Sequence, residues 1–252
     1  MTPYQLNYGD TLPIALIYRY AGRMARLPRI IVPDYPHHVT QRGNRRQRIF
    51  LVDDDYAVYR DILAENCRVH GVEVWSYCFM PNHVHLILTP SSSDGLSRAV
   101  GETHRRYSGF INARLRVTGH LFQGRFGSVA MDEAHLHAAF RYVAMNPVKA
   151  NLVERPDAWR WSSTPAHLAG QNDSLVKVKP FLDRIENPQE FFSSAADDVR
   201  ERNLASGQSI GRPLVDDETL LVLEKEMGVQ LRPGKRGRRR KENPDSEQIK
   251  LV

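Results

Sequence analysis

The chain has 252 residues, 41% hydrophobic and 25% charged, with a formal net charge of +6 and a pI near 9.4. Those proportions suit a globular chain with one good core and an appendage, and its longest apolar runs, such as VEVWSYCFM and HLILTP, fall far short of the roughly 20 residues of a helical membrane span. A soluble, cytoplasmic protein is expected, because Cys67 and Cys78 are too few for a disulfide framework and are not spaced as a metal knuckle.

In chain order, residues 1–23 read as an N-terminal extension. Their apolar centre lacks a basic flank and a small-residue cleavage site, so no signal peptide is expected, and Met24 of MARLPRIIVP is an expected start. HHVTQR at 37–42 has the look of a strand. DDDYAVYRDILAENCRVHG follows, with an acidic N-terminus, apolar spacing near 3.6 and Gly71 as its stop, which predicts a helix. VEVWSYCFM and HVHLILTP then predict two strands of a hairpin joined at Pro81-Asn82. A second helix is predicted from Leu96 to about Arg116, then the turn-rich VTGHLFQGRFG, then a short strand from about Ser128 to Met131. The third helix is predicted to start at Asp132. The order βαββαβ plus a helix argues for an α+β, ferredoxin-like sandwich with a mainly antiparallel sheet and the histidine-bearing strand at its centre.

Two of these elements carry chemistry. His83 and His85 lie two apart in an extended segment, so both imidazoles project from one face while Val84 and Leu86 project from the other. A single histidine in such a strand is more often a core residue; two on one face offer a cation neighbouring ligands. In the third helix Leu136, Ala139, Phe140 and Val143 make the apolar stripe. Tyr142 falls on its flank, with Asn146 one turn further along the same face. Pro147 disfavours the helical region for the residue before it, which predicts an end or kink at Asn146.

Charge is unevenly spread. Met24 to Pro165 holds 18 Lys+Arg against 13 Asp+Glu, whereas Ala166 to Val252 holds 15 of each and segregates them, acidic DDETLLVLEKE preceding the basic KRGRRRK at 235–241. A basic face suits a phosphate-rich polymer. In TQRGNRRQRIF, Arg42, Arg45, Arg46 and Arg48 surround a Gly-Asn turn. GHLFQGRF mixes His120, Phe122, Gln123, Arg125 and Phe126. Arginines and amides meet phosphates and base edges, while aromatics stack on unpaired bases. Lys149 is a further candidate DNA contact.

The opening around HHVTQRGNRRQRIF, the strand PNHVHLIL, GHLFQGRF and YVAMNPVKANLV, in this order over about Met24 to Pro165, resemble the REP-associated tyrosine transposases. These are single-tyrosine members of the HUH superfamily, related to the single-strand transposases of small insertion sequences. The resemblance implies that His83 and His85 are paired metal ligands, Asn146 a third, polar ligand, and Tyr142 the nucleophile of a phosphotyrosine intermediate. It implies Mg²⁺ or Mn²⁺ as cofactor and single-stranded or hairpin DNA as partner, for a monomer or a homodimer. The phenol class titrates near 10 and attacks well only as phenolate, so a cation polarising the scissile phosphate would help. Tyr107 is a second candidate nucleophile, but no amide stands one turn after it.

Residues 24–165 are thus expected to form the transposase domain, and 166–252 an accessory helical region with a basic tail. A regulator that binds DNA on the same scaffold without cutting is the alternative; it would have lost the metal ligands or the nucleophile. A zinc hydrolase would need an Asp or Glu base beside the histidines, and PNHVHLILTP offers none.

Overall fold

The computed structural model describes residues 29–194, 197–207, 211–228 and 230–232. The expected start at Met24 and the basic cluster from Lys235 to Lys241 lie outside the described residues.

Four strands, β1 (His37–Arg42), β2 (Val72–Met80), β3 (His83–Pro90) and β4 (Gly127–Ala130), form one sheet in the order β2-β3-β1-β4. Every neighbouring pair is antiparallel. This is the ferredoxin-like arrangement expected from the element order. Helices α1 (Asp53–Val69) and α2 (Gly95–Leu115) cover one face of the sheet, and α3 (Glu133–Lys149) lies on the other.

Alternation on β3 sorts the two faces. Val84, Leu86 and Leu88 enter the core under α1 and α2 with Tyr59, Leu63 and Tyr107, while His83, His85 and Ile87 project towards α3. On β2 the alternation breaks at Trp75, where the pairing shifts between Val74 and Ser76. The extra residue resets the parity. Val74 before it and Tyr77 and Phe79 after it therefore share the α1/α2 core, while Cys78 and Met80 are left under α3. Both cysteines are buried, and neither forms a disulfide.

Leu136, Ala139, Phe140 and Val143 are at most 1% exposed, as the stripe on α3 predicted. The predicted break at Asn146 does not occur, because α3 runs on to Lys149 with Pro147 inside it. A proline removes the bond its own N–H would make to the carbonyl four residues back and crowds that carbonyl, but leaves the other helix bonds in place. Here the Asn146 side chain donates to the Tyr142 carbonyl at 2.7 Å, Pro147 is buried, and the helix closes with Ala150 N–H on the Asn146 carbonyl at 3.0 Å.

The later chain wraps this core. Helices α4 (Thr164–Ala169), α5 (Lys179–Leu182), α6 (Pro188–Ser193), α7 (Asp198–Gly207) and α8 (Asp217–Met227) follow. Phe181, Ile185, Phe192 and Leu204 join the apolar cluster of α3. Backbone bonds also finish both outer strands. Phe79 N–H donates to Trp161 O, Ser163 N–H to Tyr77 O and Lys177 N–H to Val74 O along β2, and Leu214 N–H donates to Ala130 O along β4, at 2.8–2.9 Å. Among the described residues no helix is long and apolar enough to cross a membrane.

Candidate active site

The register of β1 on β3 sets Arg42 opposite His83, Thr40 opposite His85 and His38 opposite Ile87. Opposite residues share a face, so His38, Thr40 and Arg42 stand beside the histidine pair beneath α3. The His83 and His85 rings meet edge to face with centroids 4.9 Å apart. His38 lies nearly parallel to His85, at 5.3 Å and 9°, with His38 Nε2 3.0 Å from His85 Nδ1. From α3 the half-buried Tyr142 ring sets its edge against His85 at 5.4 Å and His38 at 5.7 Å. The tyrosine and the histidine pair, 57 residues apart or more in sequence, are thus neighbours across the sheet–helix interface.

Burial, helped by the Arg42 charge, pushes the His83 imidazole down to about 4. His85 is held well below the usual histidine range by burial and then by His38, His83 and Arg42. Burial alone brings His38 down to about 3. All three rings are neutral near pH 7, the state in which an imidazole can ligate a metal. His83 Nδ1 lies 2.6 Å from Asn82 Oδ1, an acceptor, so the proton sits on Nδ1 and leaves Nε2 open to a cation. Among the described residues no group of three His, Cys, Asp or Glu side chains gathers as a metal cluster. A third protein ligand for a cation there would have to be of another type. Asn146 spends its amide N–H on the Tyr142 carbonyl, so Oδ1 is the atom it would offer a cation. Two neutral imidazoles and an amide oxygen suit a divalent ion that keeps positions for water and phosphate.

His38 was not singled out in the sequence, where HHVTQR read only as a strand. The signal was present: His38 alternates with Thr40, on a strand that this fold class pairs with β3. Tyr107, the second candidate nucleophile, is fully buried and donates its hydroxyl to the Ile49 carbonyl at 2.7 Å. It is a core residue.

The arginine loop sits at the His83 end of the sheet. Arg42, Arg45, Arg46 and Arg48 are all exposed. Arg45 and Arg46 both take positive φ, 53° and 63°, a conformation that costs a non-glycine residue roughly 1–2 kcal/mol each. Neighbouring loops hold it there. Gly43 N–H donates to Asn82 O, Asn44 N–H to Leu121 O and Gln123 N–H to Arg42 O, each at 2.8 Å, and Asn82 Nδ2 donates to Arg46 O at 3.2 Å. The arginine loop, the hairpin turn before His83 and the loop bearing Gln123 and Arg125 are therefore one bonded platform. A cleft of about 730 Å³ borders it, lined by Asn44, Arg105, Asn112, Gln123 and Arg125 among others.

One expectation for this loop needs correcting. Phe122 and Phe126, offered as stacking faces for bases, are only 7% and 6% exposed. Phe122 packs on His104 at 4.3 Å, and Phe126 lies under the Arg29 guanidinium at 3.7 Å. Apolar rings that can reach the core are drawn into it. Gln123 and Arg125 remain exposed.

Lys149 reaches back along α3, its Nζ 5.5 Å from the centre of the Tyr142 ring. It is ion-paired with Glu201 on α7, whose other carboxylate oxygen lies 3.7 Å from Arg141 Nη1. Glu201, 52 residues beyond Lys149, brings a carboxylate from the wrapped chain to the edge of the site, and no local pattern announces it.

The fold and this arrangement define a class: a ferredoxin-like sheet presenting a histidine pair to a tyrosine on the helix above. Residues 32–146 match the family described as "Transposase IS200 like". A REP-associated tyrosine transposase, solved bound to a REP hairpin, aligns with a TM-score of 0.51 at 21% identity, over 62% of this chain and 94% of that one. A putative transposase from Deinococcus radiodurans R1 is 22% identical over 50% of this chain and 92% of its own, with a TM-score of 0.34. No curated protein sequence matches the chain. The family match ends at Asn146, so Lys149 and Glu201 stand beyond it.

Proposed function

We propose that this protein is a single-strand DNA transposase that cuts and rejoins DNA through a phosphotyrosine on Tyr142. The observation that carries the reading is the edge contact of the half-buried Tyr142 ring with His85, on the face that also holds His83. The solved relative bound to a REP hairpin points to a hairpin-bearing substrate of the same kind.

In this reading the exposed arginines of the platform, with Gln123 and Arg125, hold the phosphates and base edges of the bound strand, and Arg42 stands beside His83. The Tyr142 oxygen bonds to the scissile phosphorus as the bond from phosphorus to the 3′ oxygen breaks. The phenolic proton is given up to solvent, and the departing 3′ oxygen takes one up. Energy stored in the new ester lets a 3′-hydroxyl attack it later and restore the tyrosine, so strand transfer needs no nucleotide cofactor. His83, His85 and the Asn146 carbonyl would hold Mg²⁺ or Mn²⁺, which supplies charge to polarise the phosphate. α3 keeps the tyrosine and amide on one face, and burial keeps the imidazoles neutral.

The test mixes the protein with labelled single-stranded hairpin DNA taken from beside its gene and looks for a covalent adduct on a denaturing gel. Tyr142→Phe removes only the attacking oxygen and keeps the ring contacts, so it should abolish the adduct while DNA affinity stays near wild type. A persistent adduct in that variant would refute the assignment. Binding without an adduct in the wild type would favour the non-cleaving regulator.

A further inference from the structure

We propose that His38 is a positioning residue for the cation site, accepting the Nδ1 proton of His85 and thereby keeping the His85 Nε2 lone pair free for a divalent ion. The inference rests on the metal reading above and adds to it a residue and a proton position.

The 3.0 Å contact between His38 Nε2 and His85 Nδ1 holds a single proton. Two arrangements are open. If His38 donates, His85 carries its own proton on Nε2 and cannot present that atom to a metal. If His85 donates, its Nε2 is bare and His38 must carry its proton on Nδ1. Only the second arrangement builds a ligand; His38 Nδ1 is buried with no hydrogen-bond partner in either, as a bare lone pair in the first and as an N–H in the second. No other bond to His38 Nδ1 fixes the tautomer, so a cation on His85 Nε2 selects the productive one.

Geometry makes His38 suited to this work. Its side chain is wholly buried, on a strand bonded to β3 over six residue pairs, and its ring lies 9° from parallel to His85. A near-parallel partner fixed by strand pairing restricts the turning of the His85 ring. The same ring touches Tyr142 at 5.7 Å, so one side chain braces both the ligand and the tyrosine. Partners that orient a metal-bound imidazole are typically worth 10–100-fold in metal affinity.

The experiment measures Mn²⁺ affinity of the full-length protein without DNA, by electron paramagnetic resonance of free Mn²⁺. His38→Gln keeps an acceptor at about the reach of Nε2 and should bind within about threefold of wild type. His38→Phe keeps the ring and loses the acceptor, and should bind about 10–100-fold more weakly, with cleavage restored by raised Mn²⁺. Equal affinity in wild type and His38→Phe would overturn the proposal. A wild type that binds no Mn²⁺ would instead overturn the metal reading beneath it. Should His38→Phe fail to fold, nitrogen-15 chemical shifts of the imidazoles in the Mg²⁺-loaded wild type decide the matter. A proton on His85 Nδ1 supports the proposal, and a proton on Nε2 overturns it.

Discussion

Replacing Glu201 by glutamine should tighten the hold on single-stranded DNA. Glu201 is 7% exposed at its side chain and pairs with Lys149, which is 46% exposed, within 5.5 Å of the Tyr142 ring centre. While the pair stands, its net charge is zero, and a phosphate beside Tyr142 gains little from Lys149. Glutamine keeps the shape and the hydrogen bonding and frees the cation. One additional phosphate contact on a single strand steepens the dependence of log K on log salt by about 0.7, which corresponds to about fivefold tighter binding at 0.1 M salt and about threefold at 0.2 M. Loss of the exposed Lys149 pair costs about 1 kcal/mol, or a melting shift of about 2–4 °C, and the loss of the carboxylate beside the more buried Arg141 adds to it. Fluorescence anisotropy with a labelled single strand, run over a series of salt concentrations, reads both affinity and slope. An unchanged affinity with an unchanged slope would refute the argument, and so would weaker binding from a variant that still folds.

Three further outcomes are expected. Chelation of divalent ions, or His83→Ala combined with His85→Ala, should stop the adduct while circular dichroism shows the fold intact; full cleavage in chelator would remove the cation from the mechanism. The protein should lose stability on the acid side of pH 6.5. Burial, opposed by the Tyr35 carbonyl, brings His37 down to about 4; burial and the Arg29 charge bring His104 to about 3; burial, against Trp75 and Asp173, brings His167 to about 4. Below pH 6.5 the unfolded chain takes up protons that these folded groups refuse, so each costs about 1.4 kcal/mol per pH unit down to its own folded value. Denaturant midpoints at pH 7 and pH 5.5 test this, and equal midpoints would refute it. Gly43→Ala should unseat the arginine loop, since a Cβ there would lie 2.2 Å from Gln47 O and 2.9 Å from Ile49 Cγ2. The loss is about 1–3 kcal/mol, seen together as a lower melting temperature and weaker DNA binding.

Periodicity carried most of the fold into view. The α3 stripe, the paired strands on either side of Pro81-Asn82 and the flank position of Tyr142 all follow from spacing, because spacing alone decides which residues share a face. Other features depend on distant partners. The bulge at Trp75 is visible only once β2 is laid against β3, and Asn146 stays helical, its side chain bonded to the Tyr142 carbonyl, against the rule for residues before proline. His38 matters because strand pairing brings it to His85, 47 residues away. Phe122 and Phe126 looked like loop aromatics because burial depends on distant partners, here His104 packed on Phe122 and Arg29 lying over Phe126. Glu201 reached the Tyr142 neighbourhood through α7, far outside any local motif.

The finished edges of the sheet also bear on the order in which the chain is made. β2 and β4 are built early, but the backbone groups that close them come from Trp161, Ser163 and Lys177 on one side and Leu214 on the other. As the chain leaves the ribosome, N-terminal elements form first, so β4 has to wait until Leu214 emerges. In that interval its outer N–H and C=O groups are a template for another strand. A message broken between codons 165 and 210 would yield a sheet with the β4 edge still bare, and such fragments should aggregate where the full chain does not.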